Sequence, residues 1–134
     1  DLVDKQSAAG AKLAAQHSVQ LRIAEATAEV SAARAILEAD RIRILAGAAA
    51  RELPTYEQRV GYRLNAGYAA KLAVQAVDRL LPLTGGRGLE RSSPFQRFWR
   101  DVHAVAQHIA LVWDVQALNY GSVRLGFKAM DPRI

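Results

Sequence analysis

The chain has 134 residues, of which 51% are hydrophobic, and a formal net charge of +5. Its length suggests one domain, and because it has no cysteine, disulfides and thiolate metal sites are excluded. No apolar run approaches the ~20 residues of a membrane span, no signal peptide is visible, and the basic residues form no nucleic-acid-binding stripe. We therefore predict a cytoplasmic protein without membrane or nucleic-acid partners.

The first predicted helix is long. Residues 1–17 carry little periodic signal and form an incoming segment, so the domain is predicted over residues 18–134. From Ser18 to about Ala50, apolar residues recur at alternating steps of four and three, which is typical of a bundle helix. Such a helix would be about 45 Å long, which suits a bundle that also packs against another subunit. Its apolar seam is Val19, Ile23, Ala26, Val30, Ala33 and Leu37, and Ile44 returns to the same face.

A second helix is predicted from about Tyr56 to Leu81. Thr55 and Gln58 form a capping-box pattern at its start. The predicted seam is Val60, Gly67, Ala70, Val74, Val77 and Leu81. A strip of small residues should allow another helix to approach closely: Gly61, Ala66, Gly67, Ala69 and Ala70.

A glycine-containing connection over residues 82–93 precedes the third predicted helix. Its turn, Gly85-Gly86-Arg87-Gly88, permits backbone conformations that a Cβ resists and lets another group approach the main chain. The third helix is predicted from Pro94 to about His108. Ser93 would be its N-cap, and Gln96 would complete a capping box.

The third helix is predicted to be buried, because charge is scarce on every side of it after Asp101. On an ideal helix, Arg97, Asp101 and His108 share one face. Arg97 and Asp101 can form an ion pair across one turn, and Arg100 can meet a carboxylate or phosphate. Ionisable groups on a buried helix need partners in the protein or on a ligand.

A fourth helix is predicted from a cap at Asp114 to about Phe127. Four helices joined by short loops predict an all-α, up-and-down four-helix bundle.

The histidines are the main candidates for chemistry. His103 and His108 differ by five positions, about 140° on an ideal helix, so they cannot chelate one metal from a regular helix. No H-E-x-x-H pattern is present either, and no metal site is predicted. His108 could donate a hydrogen bond or transfer a proton near neutral pH. From the residues alone, it could equally be a buried histidine bonded to neighbouring backbone.

The chain resembles the C-terminal helical domain of the acyl-CoA dehydrogenase superfamily, and more narrowly its flavin-dependent monooxygenase branch, which hydroxylates phenolic, steroid-derived or sulfur heterocyclic substrates. The resemblance extends from about Ser18 to the Asp131-Pro132 tail. It is carried by the glycine turn, the S-x-P helix start, the Arg100-Asp101 pair and the later histidine. These lie in the run A-V-D-R-L-L-P-L-T-G-G-R-G-L-E-R-S-S-P-F-Q-R-F-W-R-D-V-H-A-V-A-Q-H.

The resemblance implies a role for His108. Common acyl-CoA dehydrogenases carry a glutamate base where this chain has Gln107-His108-Ile109-Ala110-Leu111, so dehydrogenation with that base is not supported. The monooxygenase branch places a histidine there, near the reactive edge of the flavin. His108 would then stabilise a flavin C4a-hydroperoxide or help to deprotonate a small organic substrate. Reduced FMN or FAD would come from a separate flavin reductase.

The resemblance also implies an assembly. The turn formed by Gly85, Gly86, Arg87 and Gly88 would contact the flavin of a neighbouring subunit in a homotetramer. The chain would be the terminal domain of a longer enzyme, without its N-terminal helical domain and central β-barrel, and inactive by itself. Residues expected to support the local architecture are Arg97, Arg100, Asp101 and His103.

Two alternatives stay open at this point. One is a non-catalytic helical module that only oligomerises, for which the long first seam and the small-residue strip are the support. The other is a dehydrogenase whose base comes from elsewhere. The nearest other carboxylates, Glu90 and Asp114, do not lie where the family base sits.

Overall fold

The computed structural model describes residues 10–134, which form helices joined by short connections, with no strand among them. The four main helices are α1 (His17–Ala49), α2 (Tyr56–Leu80), α3 (Pro94–Ala106) and α4 (Trp113–Arg124). Two short 3₁₀ helices, Leu81–Thr84 and Gly86–Leu89, lie between α2 and α3. The prediction of an all-α bundle is confirmed. Of the predicted incoming segment, residues 1–9 lie outside the described residues, and residues 10–14 are helical.

Across residues 10–134, every helix is too short or too polar to cross a membrane.

The helices α1 and α2 pack against each other as an antiparallel pair. Asp40 of α1 accepts a hydrogen bond from Asn65 of α2 at 2.8 Å, and Glu29, further back along α1, pairs with Arg79 at 2.6 Å, further on along α2. The residues that α1 buries recur every seven positions, the spacing of a helix that packs along one partner. They are Val19, Ala26, Ala33 and Asp40.

Only half of the predicted α1 seam is therefore buried. Ile23, Val30 and Leu37 lie between the buried positions and are 45–50% exposed. Ile44 is exposed as well, and the buried stripe ends instead on Asp40. The carboxylate of Asp40 tolerates burial because Asn65 and the guanidinium of Arg43, at 3.1 Å, both bond to it.

The helix α2 is central, since it contacts α1, α3 and α4. Its buried residues are Val60, Gly67, Ala69, Leu72 and Ala76, so its buried face departs from the predicted seam after Gly67. Small side chains among them let two neighbouring helices approach α2 closely. Ala69 packs with Ala33 of α1, while Gly67 faces α4.

The helices α3 and α4 follow one another in the same direction, and both run antiparallel to α2. Asp78 of α2 bonds to Trp99 of α3, whereas the ring of Tyr68, ten residues earlier on α2, packs 5.1 Å from Trp113 of α4. Residues 107–112 are therefore a break between two helices that lie end to end along α2.

The N-caps of the helices agree in part with those predicted from the sequence. Thr55 forms the predicted capping box: its hydroxyl accepts from the backbone N–H of Gln58 at 3.2 Å, and its own N–H donates to the Gln58 side chain at 2.8 Å. Ser93 is the N-cap of α3, as predicted, but its side chain makes no capping bond, so the predicted capping box with Gln96 is wrong. The prediction that Asp114 caps α4 is wrong. The cap is Val112, and Asp114 lies within the first turn.

The two caps give a stability test with an internal control. Thr55→Ala removes an observed capping bond and should lower the free energy of unfolding by about 1 kcal/mol. Ser93→Ala removes a hydroxyl that makes no capping bond and should change it by less than about 0.5 kcal/mol. Urea unfolding followed by circular dichroism measures both. Equal losses in the two variants would contradict the difference between the caps.

Candidate active site

His108 lies in the break between α3 and α4, not on a helix. The third helix was predicted to reach about His108, and it ends two residues earlier, at Ala106. The backbone N–H of His108 still bonds to Val105 at 3.0 Å, and the His108 carbonyl accepts from Leu111 at 2.7 Å and Val112 at 3.1 Å. His108 therefore does not share a helical face with Arg97 and Asp101, and it is exposed.

The imidazole of His108 is oriented by the backbone that follows it. The N–H of Ala110 donates to Nδ1 of His108 at 3.2 Å. Because Nδ1 is then an acceptor, the neutral ring carries its hydrogen on Nε2. Within residues 10–134, Nε2 has no hydrogen-bond partner, so it is the nitrogen available to a ligand.

A buried amide side chain on α4 hydrogen-bonds to the backbone of the same break. Gln116 is completely buried and donates from Nε2 to the carbonyl of Ile109 at 2.8 Å. Its aliphatic part lies against Gly67, where an added Cβ would be 3.2 Å from its Cγ. Sequence reasoning missed Gln116. The available signal was the pair of amides, Gln116 and Asn119, spaced three apart on one face of α4, and both are buried.

The glycine turn lies where the two 3₁₀ helices meet, at Gly85. Gly85 has φ 59° and ψ −164°, a conformation essentially restricted to glycine. Gly88 is buried, and a Cβ there would lie 1.6 Å from Oγ1 of Thr84. By contrast, nothing lies within 4 Å of a Cβ built on Gly85 or Gly86. The turn therefore has an open outer edge, at Gly85 and Gly86, and a packed inner edge, at Gly88.

The structure does not bring the glycine turn and His108 together within one chain. The turn precedes α3, and His108 follows it. The 13 residues of α3 rise about 20 Å. Contacts to α2 agree with this separation, since Leu111, beside His108, lies level with Gly67, whereas the turn follows the far end of α2 at Leu80.

Arg97, Arg100 and Asp101 lie on the exposed side of α3. Asp101 is 3.7 Å from the guanidinium of each arginine, and all three side chains are more than half exposed. Exposed pairs of this kind contribute little to stability. The expected burial of α3 is also wrong for this chain: α3 has no buried residue, and Phe98 and Val105 are each 60% exposed.

His103 belongs to a polar cluster that joins α3 to α2. Its Nδ1 lies 2.8 Å from the carbonyl of Trp99, and its Nε2 lies 3.3 Å from Asp78. The indole N–H of Trp99 donates to the same Asp78 oxygen at 2.7 Å, and the rings of Trp99 and His103 pack at a tilt of 40° with centroids 4.2 Å apart. Both ring nitrogens of His103 therefore face protein groups. Spacing within α3 alone could not have identified Asp78.

Comparison with known proteins identifies the family. Residues 1–113 match the family described as acyl-CoA dehydrogenase, C-terminal domain. The chain belongs to this family.

The relatives of this acyl-CoA dehydrogenase C-terminal domain include oxygenase components of hydroxylases. The chain is 39% identical to the FADH(2)-dependent resorcinol hydroxylase, oxygenase component, of Rhizobium sp. (strain MTP-10005), over 83% of this chain and 28% of that protein. It is 33% identical to the p-hydroxyphenylacetate 3-hydroxylase, oxygenase component, of Acinetobacter baumannii, over 92% and 29%. The crystal structure of 3-HSA hydroxylase from Rhodococcus sp. RHA1 superposes with a TM-score of 0.80 at 28% identity, over 93% of this chain and 34% of that one. The chain thus spans about a third of the length of these proteins.

Across residues 10–134, no three His, Asp or Glu side chains are grouped as metal ligands.

The C-terminal tail (residues 128–134) folds back beside the His108 break. Asn119 of α4 is buried, and its Oδ1 accepts from the N–H groups of Met130 at 2.8 Å and Asp131 at 3.1 Å. The hydroxyl of Tyr56 accepts from the N–H of Ala129 at 2.8 Å. Between the tail and α4 lies a groove of about 430 Å³, whose lining includes Ile109, Val115, Leu118, Met130 and Pro132.

The open and packed edges of the glycine turn predict opposite responses to alanine. Gly88→Ala should lower the free energy of unfolding by about 1–3 kcal/mol, the usual cost of overpacking, because the added Cβ overlaps Thr84. Gly86→Ala should change it by less than about 0.5 kcal/mol, because the space there is open. Urea unfolding of the two variants compares them directly. A tolerated Gly88→Ala would mean that the packed inner edge is wrongly described.

The tail predicts a measurable pKa. The Arg133 side chain, and then its backbone N–H, hydrogen-bond to Asp131 and lower the pKa of that carboxyl below its usual range. The stability that this pair contributes is full at neutral pH and is lost as the pH falls through the lowered pKa. Carbon-13 NMR of the Asp131 carboxyl should show the low midpoint, and Arg133→Gln should bring it back towards the ordinary value. An unchanged midpoint in Arg133→Gln would exclude this cause.

Proposed function

We propose that this chain is the C-terminal helical domain of the oxygenase component of a reduced-flavin-dependent monooxygenase that hydroxylates an aromatic, phenolic or related small organic substrate. The observation that carries the proposal is His108 in the break between α3 and α4. The family's common dehydrogenases use a carboxylate base in this stretch, and residues 107–112 contain none. The relatives named above support the same reaction class, since their names describe oxygenase components of hydroxylases.

His108 is proposed to act as a hydrogen-bond donor at the reacting oxygen. With Nδ1 bonded to the Ala110 N–H, the hydrogen on Nε2 faces no protein acceptor within residues 10–134. A donor placed in this way stabilises negative charge that develops on a bound oxygen atom. A base at the same nitrogen would require the other tautomer, so donation is the role that the geometry favours.

The glycine turn is suited to the phosphate end of a flavin. Gly85 and Gly86 leave open space above the main chain, so a group can approach the backbone N–H groups. Arg87 is exposed and has no ion-pair partner within residues 10–134, so its guanidinium is available to a phosphate. The bound flavin, when reduced, would supply the activation of molecular oxygen. Either FMN or FAD is compatible with these groups.

We propose that the turn and His108 of one chain serve two different flavins in a homo-oligomer, with a tetramer as the expected form. The separation of about 20 Å along α3 supports this arrangement. The outer surface of α1 supports self-association, because it exposes large apolar side chains, which are Leu21, Ile23, Val30, Leu37, Ile42, Ile44 and Leu45.

The remaining partners follow from the reaction class. The term oxygenase component in the relatives' names supports a separate reductase that supplies the reduced flavin to this enzyme too. A cytoplasmic location stays a prediction.

The proposal is tested by His108→Ala in the complete enzyme. Loss of the donor should let oxygen be consumed without substrate hydroxylation, so that hydroxylated product per oxygen falls by a factor on the order of 100 while hydrogen peroxide rises. Oxygen electrode and product chromatography measure the ratio. His17→Ala is the matched control, since His17 is exposed at the start of α1, and it should stay coupled.

Normal coupling in His108→Ala would contradict the assigned role. The alternative function, a module that only oligomerises, predicts a different result. Such a protein would associate without saturable binding of reduced flavin in an anaerobic titration of the complete protein.

A further inference from the structure

A single peptide group connects Gln116 to His108. Its carbonyl, on Ile109, accepts from Nε2 of Gln116 at 2.8 Å. Its N–H, on Ala110, donates to Nδ1 of His108 at 3.2 Å. Because a peptide group is planar and trans, fixing the direction of the carbonyl also fixes the direction of the N–H. Hydrogen bonds in such a chain also polarise one another.

The hydrogen bond from Gln116 to the Ile109 carbonyl ties the break to a residue that is distant in sequence. The other hydrogen bonds of residues 107–112 within the described part of the chain join residues no more than four positions apart. Gln116 reaches back seven positions from inside α4. Without this bond, the hydrogen bonds of the break would all be local ones.

Burying Gln116 is costly, which argues for a role beyond packing. Its side chain is completely buried, and its Oε1 has no partner within residues 10–134. An unpaired buried oxygen is unfavourable, and an apolar side chain of similar size would avoid it. Gly67 leaves the space that Gln116 occupies, since a Cβ at residue 67 would lie 3.2 Å from Cγ and 3.3 Å from Cβ of Gln116.

We propose that Gln116 is a positioning residue, which sets the orientation and the tautomer of His108 through the Ile109–Ala110 peptide. It keeps the Ala110 N–H on Nδ1, so the hydrogen of the neutral ring stays on Nε2. This inference rests on the proposed function only in taking His108 as the residue that meets the reacting oxygen.

The tautomer can be measured without flavin. Long-range proton–nitrogen NMR of the histidine rings, at a mildly alkaline pH where imidazole is neutral, distinguishes Nε2–H from Nδ1–H. His17, which is exposed, is the internal reference. In Gln116→Met, which keeps the volume and loses the donor, the tautomer ratio of His108 should shift towards that of His17 by about fivefold, the size expected from one ordinary hydrogen bond.

A control separates positioning from loss of stability. Asn119→Leu removes the other buried amide of α4, which holds the tail and not the break. It should lower stability while leaving the His108 tautomer ratio unchanged. If Asn119→Leu shifted the ratio as much as Gln116→Met, a specific role of Gln116 would be overturned.

A second pair of variants leaves Gln116 in place. Gly67→Ala presses a methyl group against Gln116 from α2 and should shift the same ratio, whereas Gly61→Ala, where nothing lies within 4 Å of the added Cβ, should not. This pair decides the matter if Gln116→Met fails to fold. An unchanged ratio in Gly67→Ala would then overturn the proposal.

In the complete enzyme, Gln116→Met should lower hydroxylated product per oxygen, in the same direction as His108→Ala and to a smaller extent. A tautomer shift together with normal coupling in His108→Ala would leave the positioning intact and reject the proposed function. Uncoupling in His108→Ala with no tautomer shift in Gln116→Met would reject the positioning alone.

Discussion

The close packing of α2 against three other helices is the constraint on which the rest of the structure depends. A neighbouring helix can approach most closely where the side chains are small, and α2 provides such positions at Gly67, Ala69 and Ala76 beside its larger buried residues, Val60 and Leu72. Ala69 admits α1, and Gly67 admits the side chain of Gln116 from α4. Gln116, which bonds to the α3–α4 break that contains His108, therefore occupies space that the missing side chain of Gly67 leaves on a different helix.

The ends of α1 and α2 could be predicted to within one or two residues, because their signals are local. Periodicity marks α1, and the Thr55 capping box marks the start of α2 with two observed hydrogen bonds. The break that follows α3, with His108 outside the helix, could not be recognised in this way. No glycine or proline lies between Ala106 and Gly121, and the break there is stabilised by a hydrogen bond from Gln116, ten residues further on.

Burial was harder to predict than helicity. The α1 seam was assigned from apolar spacing, yet its last buried position holds Asp40, whose partners Asn65 and Arg43 make a buried carboxylate tolerable. The apolar faces of α3 were expected to be covered and are exposed in this chain. Periodicity identifies which residues share a face, but it does not show which face has a neighbour. For the candidate site, the sequence indicated His108 and the glycine turn, while Gln116, Asn119 and Asp78 act through tertiary contacts that no spacing rule reveals.

The helix α3 lies between the glycine turn and the histidine, and this makes its length a constraint on evolution. One residue inserted into an α-helix rotates everything beyond it by about 100° and advances it by about 1.5 Å. An insertion between Ser93 and His103 would turn His103 away from Asp78, and an insertion between Ile109 and Gln116 would move Gln116 away from the carbonyl to which it donates. Insertions in the connection at residues 50–55 or 125–128 would disturb neither contact. Among homologues, we therefore expect gaps and insertions to collect in those connections, while the count of residues from Ser93 to Gln116 stays constant.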